Sequence, residues 1–409
     1  MIPQKNAQEH GSSNLHSAEA EKDYLLKNYA RFPVEFVRGE GAYLYDSNGK
    51  EYVDFLSGIA VTGFGHNHPE IKSAVEEQMN NLWHVSNLFE AGGQKSLAQK
   101  LAERAGLDYV FFCNSGSEAN EAAIKLTRKW GKERSHIITA IGGFHGRTMG
   151  SLSATAQFKV WNGFFPLTPG FIYAQYGDMS SIENSYNKDV AAVMVEPIQG
   201  ESGIIIPPDN FLKELRAFCD EKNILLILDE VQTGIGRTGK FFAFEHEEIK
   251  PDIVTLAKGI ANGLPLGALV CSKEVGDAIK PGDHGSTFGG NPLAVASANK
   301  VVDLIDEELL EKITSSGGKI IKSINELKYE IIKEIRGKRL MIGIEFDERI
   351  SAKTISKELL NAGIVTCTSG ENTLRMLPPY IITEKEIIKF LHTFAEVLSK
   401  IQKVNEYVG

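Results

Sequence analysis

The chain has 409 residues, of which 42% are hydrophobic and 24% charged, and this ordinary globular composition excludes a fibrous or wholly disordered protein. Its formal net charge of −9 argues against a protein that covers nucleic acid or an anionic membrane surface. No apolar run reaches the roughly 18 residues of a membrane helix. The polar residues 1–22 are predicted to form a loose tail without a signal peptide. The widely spaced cysteines fit free thiols in a reducing cytoplasm.

Residues 23–65 are predicted to form an N-terminal segment that joins a smaller lobe. Two short strand-like runs, 42–45 and 52–55, flank a turn at 46–49 that contains Asn48-Gly49. Asn-Gly between two such runs is typical of a β-hairpin. From Pro69 onwards, apolar residues recur at helical spacing, which predicts a helix.

Residues 66–292 show apolar runs that alternate with helical stretches. The runs are continuous, which suits strands buried on both faces of a mainly parallel sheet. They lie at 109–112, 136–140, 191–195, 224–228 and 253–256. We therefore predict a large α/β domain with helices on both faces of a central sheet.

Residues 293–409 are predicted to form a smaller α+β lobe. The pattern indicates a helix from Leu293 to about Ile335, a strand over 340–346, and a closing amphipathic helix over 384–404. The mixed-charge stretch 333–339 is interpreted as a solvated surface.

Ligands of open α/β sheets bind at the carboxyl ends of strands, so the residues after each apolar run are the candidates for chemistry. After the first run, Gly116 and Ser117 precede a helix-forming segment. A helix N-terminus with free N–H groups and a serine hydroxyl suits a phosphate. Taken alone, this segment is better explained as an ordinary helix cap.

The second run is followed by a glycine-rich segment, 142–148. Phe144 offers a flat face to a ring, and Arg147 offers a two-pronged donor to a carboxylate. A glycine turn with a packed phenylalanine remains the alternative.

Asp229 and Lys258 end two further runs, 29 residues apart in the chain. A buried carboxylate needs a cationic or N–H partner, which a protonated ring nitrogen of a cofactor or the nearby Arg237 could supply. Burial lowers the pKa of a lysine and makes its amine nucleophilic, although a single lysine usually lies on the surface. For 66–68, which contains two histidines, a turn is favoured over a metal site, and no metal is predicted.

Together, these segments provide a phosphate cradle, an aromatic plate, an acid and a lysine, which is the set that pyridoxal 5′-phosphate (PLP) requires. The chain resembles a class III (subgroup II) PLP-dependent aminotransferase of fold type I from about Tyr24 to its C-terminal region. The resemblance rests on Lys258 and on segments 58–61, 65–69, 114–120, 144–148, 196–201, 229–234 and 284–292.

The resemblance implies roles for residues of this chain. Cofactor-binding roles fall on Gly116, Ser117, Phe144, Asp229, Glu230, Val231, Gln232, Lys258 and Thr287. Lys258 is expected to form a Schiff base with the cofactor and to act as the base, while Asp229 binds the ring N–H. Thr287 is expected to reach the phosphate of a neighbouring subunit, which implies a homodimer. Substrate-binding roles fall on Arg147, Ser286, Arg375, Glu201 and Tyr29.

Within the family, the chain most resembles the branch that uses N2-acetylornithine, 2-oxoglutarate and glutamate in arginine biosynthesis. Three features carry this resemblance: the N-terminal segment 29–33, the short chain, and segment 284–292. Relatives that use free ornithine usually carry tyrosine near the position of Ile59, which argues against ornithine here. Succinylornithine, succinyl-diaminopimelate, 4-aminobutyrate and, less favoured, ornithine remain alternative donor substrates. A non-catalytic binding protein that retains the fold is the alternative of a different class.

Overall fold

A computed structural model of the protein describes residues 24–406 and the side chains of residues 24–402. The predicted tail, 1–22, lies outside the described residues. Residues 24–35 belong to a unit of their own, and residues 36–406 to a second unit. Within the first unit, Tyr29 is exposed, and the guanidinium of Arg31 lies 5.4 Å from the centre of its ring.

The second unit contains strands and helices in alternation. The strands are β1 (Phe36–Glu40), β2 (Tyr43–Asp46), β3 (Glu51–Asp54), β4 (Tyr109–Cys113), β5 (His136–Ala140), β6 (Phe171–Ala174), β7 (Val190–Val195), β8 (Leu225–Asp229), β9 (Ile253–Leu256), β10 (Gly267–Cys271), β11 (Ile332–Lys338), β12 (Met341–Phe346), β13 (Ile364–Val365), β14 (Cys367–Ser369) and β15 (Thr373–Met376). The helices are α1 (Ser57–Ala60), α2 (Pro69–Met79), α3 (Gln94–Ala105), α4 (Gly116–Gly131), α5 (Met149–Ala154), α6 (Phe158–Trp161), α7 (Met179–Ser185), α8 (Phe211–Lys222), α9 (Lys273–Gly276), α10 (Pro292–Asp303), α11 (Glu307–Glu326), α12 (Ala352–Asn361) and α13 (Glu384–Glu406). Two 3₁₀ turns span Ala243–Glu247 and Lys258–Ala261.

The central sheet has seven strands in the order β4-β10-β9-β8-β7-β5-β6. Strand β10 is antiparallel to both of its neighbours, and the pairs from β9 to β6 are parallel. Every residue of β7 and β8 is buried, as their continuous apolar runs predict. The predicted mostly parallel α/β sheet is confirmed.

Helices cover both faces of this sheet. Alternate residues of each strand point to opposite faces, and on β8 they enter two different apolar clusters. Leu225 and Ile227 pack in the cluster that contains α4, whereas Leu226 and Leu228 pack in the cluster that contains α8.

All five predicted core strands are confirmed, but β6 and β10 were missed. Strand β10 reads Gly-Ala-Leu-Val-Cys, and its glycine and alanine weaken the apolar signal. Glycine is required at its start, because a Cβ on Gly267 would lie 2.4 Å from the carbonyl oxygen of Ser115.

The second unit also contains two smaller sheets of four strands each. The predicted hairpin is confirmed as β2 and β3, and β13 adds to β3 in parallel, in the sheet order β1-β2-β3-β13. The other sheet has the order β11-β12-β15-β14. The predicted strand 340–346 and the closing helix are confirmed as β12 and α13.

The predicted helix from Leu293 to about Ile335 is wrong in its last part. Helices α10 and α11 end at Asp303 and Glu326, and the charged stretch after them contains β11, which pairs with β12. Strand β12 supplies backbone hydrogen bonds to β11, and its Glu345 forms ion pairs with Lys333 and Arg336 on β11. These long-range contacts overcome a local pattern that suited a helix.

Within the described residues, no helix is long and apolar enough to cross a membrane. The same residues contain no group of three or more His, Cys, Asp or Glu side chains placed to hold a metal ion.

Candidate active site

A cavity of about 570 Å³ opens at the carboxyl ends of the central strands. Strands β4 and β9 run in the same direction, since each is antiparallel to β10. The segments that follow β4, β5, β8 and β9 therefore meet at one edge of the sheet. Of the predicted site residues, those that line the cavity are Gly116, Ser117, Phe144, Arg147, Glu201, Asp229, Val231, Gln232 and Lys258.

The N-terminus of helix α4 forms one end of the cavity. Helix α4 begins at Gly116, and the Ser115 hydroxyl accepts a hydrogen bond from the backbone N–H of Glu118 at 3.2 Å. Helix geometry gives the N–H groups of Gly116 and Ser117 no partner within α4. A Cβ on Gly116 would lie 2.8 Å from a methyl group of Val231, so glycine is required here.

Hydroxyl groups support this end of the cavity. The Ser117 hydroxyl lies 2.8 Å from that of Thr148 and 2.7 Å from that of Ser151. Thr148 in turn donates to the Glu121 carboxylate at 2.6 Å. Both the backbone and the side chain of Ser117 are therefore held in place.

Asp229 occupies the last position of β8 and is 3% exposed. One carboxylate oxygen accepts from the Asn120 amide at 2.7 Å and lies 2.8 Å from Nδ1 of His145. The other accepts from the backbone N–H of Val231 at 3.0 Å. The alternative partner, Arg237, instead donates to the carbonyl oxygens of Leu340 and Pro378.

His145 and Asn120 belong to this site although no role was predicted for them. Burial lowers the pKa of His145, but the hydrogen bond and the charge of Asp229 outweigh burial, so the pKa lies above its usual value. Asn120 lies one helical turn after Gly116 and so shares its face of α4. That spacing is the sequence signal that could have found it.

Lys258 follows β9 and begins the 3₁₀ turn Lys258–Ala261 with a φ of +46°, which is uncommon for a residue other than glycine. Its side chain lines the cavity and is partly buried. Burial lowers the pKa of the Lys258 amine, and the charge of Glu201 opposes that decrease. A larger share of this amine is therefore uncharged at neutral pH than in an exposed lysine.

Glu201 separates a buried cation from the cavity. The Arg375 side chain is 2% exposed, and its Nη1 donates to Oε1 of Glu201 at 2.5 Å and to the carbonyl oxygen of Gly200 at 3.2 Å. Oε1 of Glu201 also accepts from the Gln232 amide at 3.3 Å. Arg375 itself is not among the residues that line the cavity, but its partners Glu201 and Gln232 (3.5 Å from Nη1) are.

Besides Arg375, four predicted site residues lie outside the cavity lining. The Glu230 carboxylate is buried and accepts from the N–H groups of Ala243 and Phe244, so its cofactor role stays a prediction that the geometry does not favour. Thr287 is exposed and outside the lining, while the Ser286 hydroxyl accepts from the cavity residue Asn114 at 3.1 Å. Tyr29 belongs to the separately described unit.

An unusual turn adjoins the cavity at Ser57–Ala60. Its four consecutive residues have φ between +50° and +66°, and only Gly58 suits that conformation. Such left-handed backbone is strained for L-residues, and strain of this kind clusters at functional sites. Oδ1 of Asp54 stabilises the turn by accepting from the N–H groups of Leu56 and Ser57 at 2.8 Å. The turn leads into Val61, which lines the cavity.

The fold and the site together define an α/β enzyme with a lysine and a buried acid at the ends of adjacent strands. The chain belongs to the class-III aminotransferase family, whose model (aminotransferase class-III) matches residues 24–398.

Individual members of the family are similar over nearly the whole chain. An acetylornithine aminotransferase from Methanocaldococcus jannaschii is 45% identical and aligns with 94% of this chain and 98% of its own length. The crystal structure of the Elizabethkingia anophelis acetylornithine aminotransferase is 36% identical, with a TM-score of 0.82 and coverage of 92% and 96%. The ornithine aminotransferase of Toxoplasma gondii, whose active site is partly occupied by PLP, is 35% identical, with a TM-score of 0.90 and coverage of 94% of each chain.

Proposed function

We propose that this chain is a PLP-dependent aminotransferase that moves the distal amino group of N2-acetylornithine to 2-oxoglutarate. The products are N-acetylglutamate 5-semialdehyde and glutamate, and the reaction serves arginine biosynthesis. The observation that carries the proposal is that Lys258 and Asp229 line one cavity in a chain 45% identical to an acetylornithine aminotransferase.

The residues of the cavity fit PLP. The N-terminus of α4 provides N–H donors for a phosphate, Phe144 provides a ring face, and the buried Asp229 provides a negative charge for a protonated ring nitrogen. Gln232 and Lys258 also line the cavity, and we propose that Gln232 binds the ring hydroxyl and Lys258 the aldehyde. When bound, PLP stores the amino group between half-reactions and withdraws electrons from the carbon that loses a proton.

Lys258 is the proton carrier in this proposal. Its lowered pKa increases the uncharged share of the amine, which can take the proton from the carbon bearing the substrate nitrogen and return it later. Asp229 is held by Asn120, His145 and the Val231 N–H, so its charge stays at one fixed position during both half-reactions.

The carboxylates of the substrates need separate cations. Arg147 lines the cavity, and its guanidinium carbon lies 5.5 Å from the centre of the Phe144 ring. We propose that Arg147 and Ser286 contact the amino donor. Arg375 is proposed to bind a carboxylate of 2-oxoglutarate or glutamate. Its pairing with Glu201 supports a switch in which Glu201 masks Arg375 while acetylornithine reacts and moves aside for the dicarboxylate.

Replacing Glu201 with alanine is expected to unbalance the two half-reactions. A permanently unpaired Arg375 would attract the single carboxylate of acetylornithine to the wrong place, so the donor half-reaction should slow about tenfold while the 2-oxoglutarate half-reaction does not. Single-turnover absorbance measurements of each half-reaction test this. Glu201→Gln keeps the size of the side chain without its charge and should behave similarly. Unchanged rates in both half-reactions of Glu201→Ala would refute the switch.

The donor is tested by initial rates with N-acetylornithine, succinylornithine, ornithine and 4-aminobutyrate, each with 2-oxoglutarate. We expect N-acetylornithine to have the highest kcat/KM, with ornithine at least ~10-fold lower. Ile59 packs beside an apolar cluster that includes Met341 and Leu377 and offers no polar group to a second ammonium. A higher kcat/KM with ornithine or 4-aminobutyrate would reject the donor but keep the reaction class. The absence of both turnover and a visible cofactor band would favour the non-catalytic alternative.

We also propose a homodimer, in which Thr287 reaches the phosphate site of the partner subunit. Thr287 is exposed, which supports a subunit contact. Large apolar side chains are also exposed, namely Trp83, Leu88, Phe89 and Phe288.

We propose a location in the reducing cytoplasm, which is supported by the four cysteines, all of them free thiols.

A further inference from the structure

Arg375 has a neighbour that the reaction as described does not use. Strands β14 and β15 are antiparallel, and their register places Cys367 directly opposite Arg375. Side chains at such positions lie on the same face of the sheet, about 5 Å apart at Cβ. Nε of Arg375 donates to the Cys367 sulfur at 3.3 Å. The position of this sulfur is therefore set by backbone pairing.

The backbone around Glu201 is also tied down. The Glu201 carbonyl oxygen accepts from the N–H of Gly370 at 2.9 Å, and the Gly203 carbonyl oxygen accepts from Nε of Arg336 at 2.8 Å. Glu201 can therefore leave Arg375 by rotation of its side chain, without movement of the loop.

Once Glu201 has rotated away, the acceptors that hold the Arg375 guanidinium in place are the Gly200 carbonyl oxygen, the Cys367 sulfur and, at 3.5 Å, the side-chain oxygen of Gln232. The Cys367 sulfur is the one that Nε meets. Burial raises the pKa of the Cys367 thiol, and the charge of Arg375 opposes this only in part. The thiol is therefore neutral at neutral pH. All three remaining acceptors are uncharged, so they orient the guanidinium without cancelling its charge.

We propose that Cys367 is a positioning residue that holds Arg375 through a neutral hydrogen bond, so that the guanidinium can exchange Glu201 for a carboxylate of 2-oxoglutarate or glutamate. A carboxylate in place of the thiol would pair with Arg375 permanently. An apolar side chain would leave Nε without its partner and let the guanidinium turn. This inference rests on the proposed role of Arg375 in binding the dicarboxylate.

The test compares Cys367→Asp with Cys367→Asn, which have the same size and differ in charge. In single-turnover measurements, Cys367→Asp should weaken 2-oxoglutarate and glutamate binding by about 50-fold or more relative to Cys367→Asn, because a buried ion pair competes with the substrate carboxylate. The acetylornithine half-reaction should change less than about threefold between the two variants. Equal affinities for 2-oxoglutarate would overturn the proposal.

Two further variants separate positioning from folding. Cys367→Ala should raise the KM for 2-oxoglutarate about fivefold with little change in kcat, since one modest hydrogen bond is lost. Cys367→Ser should restore most of the affinity. Equal losses in Ala and Ser, or equal losses in both half-reactions, would assign Cys367 a packing role and overturn the proposal. Thermal unfolding and the cofactor band identify variants that do not fold.

Failure of the proposed function can be distinguished from failure of the Cys367 proposal. If the wild-type chain reacts with glutamate but not with acetylornithine, the donor is wrong and the Cys367 comparison still stands. If wild type reacts with neither, the proposed function fails before any Cys367 variant is compared.

Discussion

Replacing Lys258 with alanine is expected to lower turnover by roughly 10⁴-fold or more, because one amine both attaches the cofactor and moves the proton. The side chain lines the cavity, and burial depresses the pKa of its amine. Asp229, on the neighbouring strand, keeps its hydrogen bonds to Asn120 and Val231 when Lys258 is shortened. The variant should therefore fold and bind PLP non-covalently while losing nearly all activity. Steady-state rates with N-acetylornithine measure the loss.

Lys273 offers a matched control for Lys258. It also stands two residues beyond the end of a strand, β10, but its amine is exposed and pairs with Asp277. Lys273→Ala should keep the activity of the wild type. Borohydride reduction and peptide mapping should find a pyridoxyl adduct on Lys258 in the wild type and in Lys273→Ala. Undiminished turnover in Lys258→Ala, or an adduct on a different lysine, would exclude the assigned role.

Much of this site could be predicted because its charged residues stand at the ends of buried apolar strands, where charges are otherwise unfavourable. Asp229 is the last residue of one buried apolar strand and Lys258 stands two residues beyond another, and a charge in such a position needs a partner. Parallel strands then bring their carboxyl ends together, so residues 29 positions apart in the chain meet in one cavity. The continuous apolar runs of β7 and β8 predicted the sheet for a similar reason, since strands buried on both faces do not alternate.

The remainder depends on contacts that no local pattern contains. The partner of Asp229 could not be chosen from the sequence, and the nearby Arg237 bonds two carbonyl oxygens instead. Strand β11 is charged and becomes a strand because β12 pairs with it. The left-handed turn Ser57–Ala60 contains three residues that disfavour this backbone, so residue preferences do not predict it.

Replacing Asp229 with asparagine is expected to lower kcat by about 10³-fold, because the neutral amide cannot stabilise a protonated ring nitrogen in a buried site. The asparagine side chain has the same shape, and its single amide oxygen can still accept from the Val231 N–H, while the bond from Asn120 to the other carboxylate oxygen is lost at a cost of about 1–3 kcal/mol. The protein should therefore fold, and single-turnover rates should fall in both half-reactions. This pattern differs from that of Glu201→Ala, in which the two half-reactions respond differently. Wild-type rates in Asp229→Asn would show that the charge is not required.

Glu230→Gln gives the control for Asp229→Asn, since the two acids are adjacent and both are buried. The Glu230 carboxylate accepts from Ala243, Phe244 and Thr233, and it does not line the cavity. An amide places an N–H group against these donors, so the free energy of unfolding should fall by about 1–3 kcal/mol. Turnover of the folded protein should stay within about threefold of wild type, because the charge lost has no contact with the cavity. A loss of kcat comparable to that of Asp229→Asn, without a loss of stability, would instead place Glu230 in the cofactor site, as the family resemblance implies.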